Sequence, residues 1–363
     1  MLKRLRLPTW TGVVPVVAVL LLIATWGLKK PPAVVLAVLA VVLGGAVLAA
    51  VHHAEVVAHR VGEPFGSLVL AVAVTVIEVA LIVTLMVSGA TEEASTLARD
   101  TVFAAVMITC NGIVGVSLLV GAVRQRVATF NAEGTATALA TVSTLATLSL
   151  VLPTFTTSRP GPEFSPAQLA FAAVASLALY GLFVVVQTVR HRDYFLPVGV
   201  EPTPEEHAAP PTNRHAYASL GLLLIALVAV VGLAKIESPA IEDGVAAVGA
   251  PQSAVGVVIA LLVLAPETLA AVRNARRGHI QTSFNLAYGS AMASIGLTIP
   301  VIAVASIWLE GPLRLGLGPT QMVLLAITVV VGGLTVLPGR ATLQEGGVHL
   351  AICAAFLFLA LNP

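Results

Sequence analysis

The chain is 363 residues long, 58% apolar and only 10% charged, against about 25% charged residues in soluble domains, so it has too little polar surface to cover a globule in water and a soluble enzyme is excluded. A net charge of +1 and 5% aromatic residues supply neither the basic field nor the stacking platforms that nucleic-acid binding needs. Cys110 and Cys353 both lie in apolar runs with no Cys-x-x-Cys or Cys/His spacing, which speaks against a disulfide framework and against a zinc site.

Crossing about 30 Å of hydrocarbon takes roughly 20 residues of helix, and eleven stretches qualify: 11–28, 33–51, 66–88, 101–123, 135–152, 166–189, 216–234, 252–272, 283–309, 319–337 and 347–361. Scattered Gly, Ser and Thr suit helices packed on other helices, and the alternation of a membrane barrel is absent. Lys3, Arg4 and Arg6 before the first stretch resemble the start of a signal peptide. A second span follows at once without a persuasive small-residue cleavage site, so the first stretch reads as a membrane helix.

Cytoplasmic loops carry the excess of Lys and Arg. With the N-terminus inside, the cytoplasmic set holds Lys3, Arg4, Arg6, Arg60, Arg124, Arg126, Arg190, Arg192, Arg214, Arg273, Arg276, Arg277 and Arg340, and the other side only Lys29, Lys30, Arg99, Arg159, Lys235 and Arg314. The asymmetry predicts an internal N-terminus and an external C-terminus. Between the sixth and seventh spans lies a polar stretch with Pro197, Pro202, Pro204, Pro210 and Pro211 and the acidic Glu201, Glu205 and Glu206, a cytoplasmic linker.

The expected organisation is therefore an all-α integral membrane protein of about eleven transmembrane helices. Residues 1–31 hold the N-terminal segment and first helix, 32–190 a first five-helix repeat, 191–215 the acidic, proline-rich linker and 216–363 a second five-helix repeat. Five is odd, so the second set enters the membrane from the opposite face. Inverted repeats of this kind let a transporter alternate access around a midplane site.

Most Asp and Glu residues fall in loops or near predicted helix ends, Glu237 among them. Glu78, in Thr75-Val76-Ile77-Glu78-Val79, and Glu267, in Leu264-Ala265-Pro266-Glu267, do not. An acidic side chain at a helix centre costs about 2.5–3.5 kcal/mol on insertion scales, so such residues face a bundle interior or an aqueous cavity. Each lies in the second helix of its half, where a pseudo-two-fold axis would draw the pair to one site. Pro266 denies its helix a backbone N–H and frees a carbonyl one turn back. Asn111, mid-span in the next helix of the first half, and Ser290, with Ser294 one turn on, in the next helix of the second, offer neutral oxygens. Calcium takes roughly six to eight hard oxygens; two carboxylates supply only part of that shell, leaving Asn111, Ser290, freed carbonyls and water to complete it.

A second polar cluster precedes the third span: His52, His53, Glu55, His59, Arg60 and Glu63. If the second helix continues into the cytoplasm, His52, Glu55 or Val56, and His59 share one face. Histidine relays protons near neutral pH, so proton relay or cytoplasmic cation entry is one reading. An interfacial polar helix end is another, and a metal site without a catalytic partner a third.

The run His52-His53-Ala54-Glu55-Val56-Val57-Ala58-His59-Arg60-Val61-Gly62-Glu63-Pro64-Phe65-Gly66, followed by Ala71 to Glu78, closely resembles bacterial calcium/proton antiporters of the cation/calcium exchanger superfamily. Ala265 to Arg273 and Asn285 to Ser290 resemble the matching repeat. The resemblance implies an N-terminal helix before two inverted five-helix repeats, with one acidic residue per repeat at the exchange site. Where the wider superfamily commonly has asparagine three residues before each acidic ligand, this sequence has Thr75 and Leu264, so the resemblance leaves the choice among calcium, sodium and potassium open.

The function expected is exchange of cytoplasmic Ca2+, or of Na+ or K+, for protons by alternating access in the inner (plasma) membrane. Glu78 and Glu267 would take cation and proton in turn. The partners are inorganic cations, protons and the lipid bilayer, with no cofactor. A cation channel is disfavoured because no filter-like loop is visible, and an intramembrane metalloenzyme because no nucleophile or second metal motif converges on the His52 cluster.

Overall fold

The computed structural model of the chain describes residues 9–28, 31–62, 65–88, 95–198, 211–247, 249–251, 253–308 and 311–362. The helices over these residues are α1 Trp10–Thr25, α2 Ala33–Val61, α3 Phe65–Ser88, α4 Leu97–Gln125, α5 Ala132–Phe155, α6 Pro166–Arg190, α7 Asn213–Ala247, α8 Ser253–Arg276, α9 Ile280–Ala305, α10 Pro319–Val336 and α11 Leu343–Leu361. Each corresponds to one predicted span, because about twenty apolar residues in hydrocarbon have no way to satisfy their backbone groups except as helix. Among the described residues nine of these helices are long and apolar enough to cross a membrane, with shorter apolar stretches at Trp10–Thr25 and, within α3, Val69–Thr84.

By internal packing the chain forms two compact units, one of Met1–Leu85 with Ala209–Ile241 and the other of Met86–Ala208 with Glu242–Pro363. In the first, α1 packs on α2. The His53 Nε2–H donates to the Thr11 carbonyl at 2.9 Å, and Gly232 of α7 leaves room for Leu22 of α1. At the opposite end of α1 the Lys235 ammonium lies 5.8 Å above the Trp26 ring, a cation–π pair.

Two helices that begin in this unit run past their predicted ends. α2 continues ten residues beyond position 51 to Val61. α7 runs through Lys235, Glu237, Pro239, Glu242 and Asp243 to Ala247. Hydropathy marks where a helix leaves the apolar layer, not where its hydrogen bonds stop, so polar continuations are invisible to a span count. Glu237, predicted to lie in a loop or near a helix end, is thereby carried into a helix and is 4% exposed.

In the second unit α4 is the most buried span, with 83% of its apolar window covered. It packs against α8 and α11, while α9 packs on α5, α6 and α8, and α10 on α5 and α11. Small residues set the closest approaches. A Cβ on Gly115 would stand 2.9 Å from Leu350 Cγ and 3.1 Å from the Gly346 carbonyl oxygen, and one on Gly346 would stand 2.9 Å from the Leu119 nitrogen. α4 and α11 therefore meet backbone to backbone. α4 also carries a π-turn over Ile108–Ile113, and α5 another over Thr147–Val151.

Loops tie both ends of this unit. At one end a two-residue antiparallel ladder pairs Ala128 with Ala341 and Thr129 with Arg340. Here also the Asn131 N–H donates to Gln281 Oε1 at 2.7 Å, the Asn285 amide to the Phe195 carbonyl at 2.6 Å and the Arg124 guanidinium to the Arg276 carbonyl at 2.5 Å. At the other end the Arg314 N–H donates to the Ser95 carbonyl, that of Gly316 to Pro162 and that of Leu317 to Leu150. The loops predicted to share the cytoplasmic side, around 125–131, 190–195, 276–281 and 339–342, thus gather at one end.

Candidate cation site

Glu78 occupies α3 in the first unit, 4% exposed, with Thr75 one turn before it also buried at 5%. Among the described side chains of that helix Ala73, Ile77, Val79, Leu81 and Ile82 are also buried. Glu267 occupies α8 in the second unit. The residue as a whole is half-buried, but its Oε2 is withdrawn from solvent. α8 passes Pro266 as continuous helix, so the proline removes one backbone donor beside Glu267 without breaking the helix. Thr268 turns its hydroxyl back to the Leu264 carbonyl at 2.7 Å.

Asn111 lies in the π-turn of α4 and is wholly buried. A π-turn inserts one residue into the helical repeat and is a frequent device at functional sites. Ser290 is half-buried on α9, with Ser294 buried one turn on. The π-turn segment packs against α8, α9 and α11, so the helices bearing Glu267, Asn111 and Ser290 lie together in one unit, and Glu78 belongs to the other.

The carboxamide of Asn111, however, is engaged with α10 and α11. Its Nδ2 donates to Thr328 Oγ1 at 2.9 Å, and its Oδ1 lies 3.2 Å from His349 Nδ1. His349 in turn places Nε2 3.1 Å from Thr335 Oγ1. Thr328, Thr335 and His349 are all buried, and sequence reasoning passed over them. The signals were present: the two threonines are seven residues apart on one face of α10, and His349 is a histidine in an apolar segment.

The histidine cluster separates. α2 does extend as the shared-face reading requires, and His52, Glu55 and His59 are exposed along it with Arg60. His53 turns the other way, 5% exposed against α1, with its ring 5.5 Å from that of His52. The Arg60 Nε donates to Asn213 Oδ1 at 2.6 Å. Glu63, and the linker acids Glu201, Glu205 and Glu206, lie outside the described residues. Among the described residues no three His, Cys, Asp or Glu side chains converge as a metal-holding group.

Compared with known proteins, the family described as sodium/calcium exchanger protein matches residues 31–189 and 218–362. A putative ionic transporter, y4hA of Sinorhizobium fredii, is 45% identical over 99% of the chain and 98% of its own length. The sodium-potassium/proton antiporter ChaA of Escherichia coli is 34% identical over 94% of the chain and 93% of its own length. Among solved structures, an H+/Ca2+ exchanger, CAX, superposes with a TM-score of 0.71 at 16% identity, covering 97% of this chain and 92% of its own. At that identity the likeness is one of fold.

Proposed function

The chain belongs to the sodium/calcium exchanger protein family, and from that premise we propose that it is a cation/proton antiporter that exchanges cytoplasmic Ca2+ for protons by alternating access, with Glu78 and Glu267 binding cation and protons in turn. The observation that carries the reading is a carboxylate inside an apolar helix in each half of the chain, Glu78 on α3 and Glu267 on α8. Such residues mark ion and proton pathways in membrane proteins. Asn111, Ser290, the carbonyl freed by Pro266 and water complete the cation's oxygen shell in this reading. The two halves act as inverted five-helix repeats, the protein is a transporter rather than an enzyme, and it lies in the inner membrane with its N-terminus in the cytoplasm.

The chemistry is competition. One divalent ion or two protons neutralise the pair equally, and an uncompensated charge in the membrane interior is costly. The helices therefore change their exposure when the site is compensated, which discourages leak. Because protons and cation compete, apparent cation affinity falls as the pH on the loading side falls. On the cytoplasmic side the exposed His52, Glu55 and His59, with His53 and Glu63, are assigned to proton relay or cation entry.

A monovalent cargo, Na+ or K+, is the second reading, favoured by the 34% identity to a sodium-potassium/proton antiporter over nearly the whole chain. Purified protein in liposomes with an imposed pH gradient separates the two: Ca2+, Na+ and K+ are offered in turn and uphill movement is followed by fluorescence. Uphill movement also excludes a channel. Glu78→Gln or Glu267→Gln is expected to lower exchange at least about a hundredfold while the protein stays folded. Full pH-driven transport in either variant would overturn the assignment.

A further inference from the structure

The hydrogen bonds around Asn111 determine which atom does what. Thr328 donates its hydroxyl hydrogen to the Leu324 carbonyl at 2.7 Å, a far better acceptor than the Met107 thioether 3.6 Å away. Toward Asn111 it can only accept, so the Asn111 amide nitrogen faces it and the oxygen Oδ1 faces His349. An amide oxygen only accepts, so the proton on the His349 ring sits at Nδ1. Nε2 is then held by Thr335. The ring is pinned at both edges between α4 and α10. Gly346, three residues before it on the same face of α11, meets Gly115 and lets the imidazole reach this depth.

Oδ1 of an amide has two lone pairs. One takes the His349 N–H, and, with no second donor to Oδ1 among the described residues, the other is left for a ligand, now with the direction of the carboxamide fixed from both sides. We propose that His349 is a positioning residue that sets cation selectivity, its Nδ1–H locking Oδ1 of Asn111 as a rigid neutral ligand. The inference rests on the reading of Asn111 as part of the cation's shell and goes beyond it by naming what holds that ligand still. Discrimination between cations of equal charge depends on cavity size and on how stiffly the ligands are held. A carboxamide free to swing adapts to ions of different radius, and a pinned one does not.

The test is pH-driven exchange in liposomes, with KM measured for two cations equal in charge and unequal in radius, Na+ against K+ or Ca2+ against Sr2+. Asn111→Ala and His349→Leu are each expected to raise KM for the preferred ion about tenfold and to bring the KM ratio towards one. His349→Asn, which keeps a donor beside Asn111, is expected to restore the ratio to within about threefold of the wild type. A wild-type ratio in His349→Leu beside an impaired Asn111→Ala overturns the positioning role and leaves the cation site standing. A wild-type Asn111→Ala overturns both. Equal impairment of His349→Asn and His349→Leu also overturns it, since the ring rather than its donor would then matter. If His349→Leu does not fold, Thr335→Val supplies the measurement: it frees only the far edge of the ring, so a partial loss of the ratio is expected and an unchanged ratio counts against the proposal.

Discussion

Individual side chains in this protein are arranged by the cost of burying polarity in a medium without water. Asp100, 4% exposed, shows how such a charge is kept. Its Oδ1 receives Arg99 Nε and Nη2, both at 2.8 Å, and Gln321 Nε2 at 3.3 Å, while Arg99 Nη1 also donates to the Gly316 carbonyl at 3.3 Å. Removing one partner of a buried pair strands the other charge at a cost of about 3–5 kcal/mol. Arg99→Ala is therefore expected to lower the thermal midpoint in detergent sharply, and Arg99→Lys less so, because one ammonium cannot serve both acceptors with the geometry of a guanidinium. A wild-type midpoint in Arg99→Ala would show that the pair contributes little.

Helices here meet where glycine removes the obstacle. The α4–α11 contact runs through Gly115 and Gly346, and a methyl on Gly115 would press on the Leu350 nitrogen at 3.0 Å and the Gly346 oxygen at 3.1 Å as well as on a side chain. Backbone atoms cannot swing aside, so Gly115→Ala is expected to cost about 1–3 kcal/mol by overpacking. Gly347→Ala, with nothing within 4 Å of its added Cβ, is expected to be neutral or to stabilise α11 by up to about 1 kcal/mol. Thermal melts of the two variants side by side check the packing, and the reverse order would contradict it. Because this crossing sets the depth of His349, Gly115→Ala is also expected to disturb cation selectivity.

For the molecule as a whole, the basic residues predict a sidedness that labelling can read. Cys110 and Cys353 are buried and stay silent towards a membrane-impermeant maleimide. A cysteine at Asn362 is expected to react in intact cells, and one at Arg340, exposed in its loop, only after permeabilisation. The opposite pattern reverses the orientation and, with it, the direction assigned to proton and cation. The gathering of the loops around Ala128, Phe195, Arg276 and Arg340 at one end of the second unit means that one orientation places all their arginines on the same side.

The linear chain was enough to specify eleven helices, because in hydrocarbon an apolar stretch of the right length has one available backbone structure. It also exposed Glu78 and Glu267, because an acid inside such a stretch stands out against its neighbours. What it could not specify were the contacts made by residues that look ordinary in their local context. Thr328, Thr335 and His349 attract no notice in the sequence, Glu237 reads as one of the acids in loops or near helix ends, and His53 as a member of one cluster with His52. Tertiary packing pinned the first three around Asn111 and carried Glu237 into a helix. It also turned His53 onto α1 while leaving His52 in the open. Hydropathy is a sum along the chain and survives any arrangement of the helices, whereas a hydrogen bond between residues more than two hundred positions apart, such as that of Asn111 with His349, exists only once the helices have met.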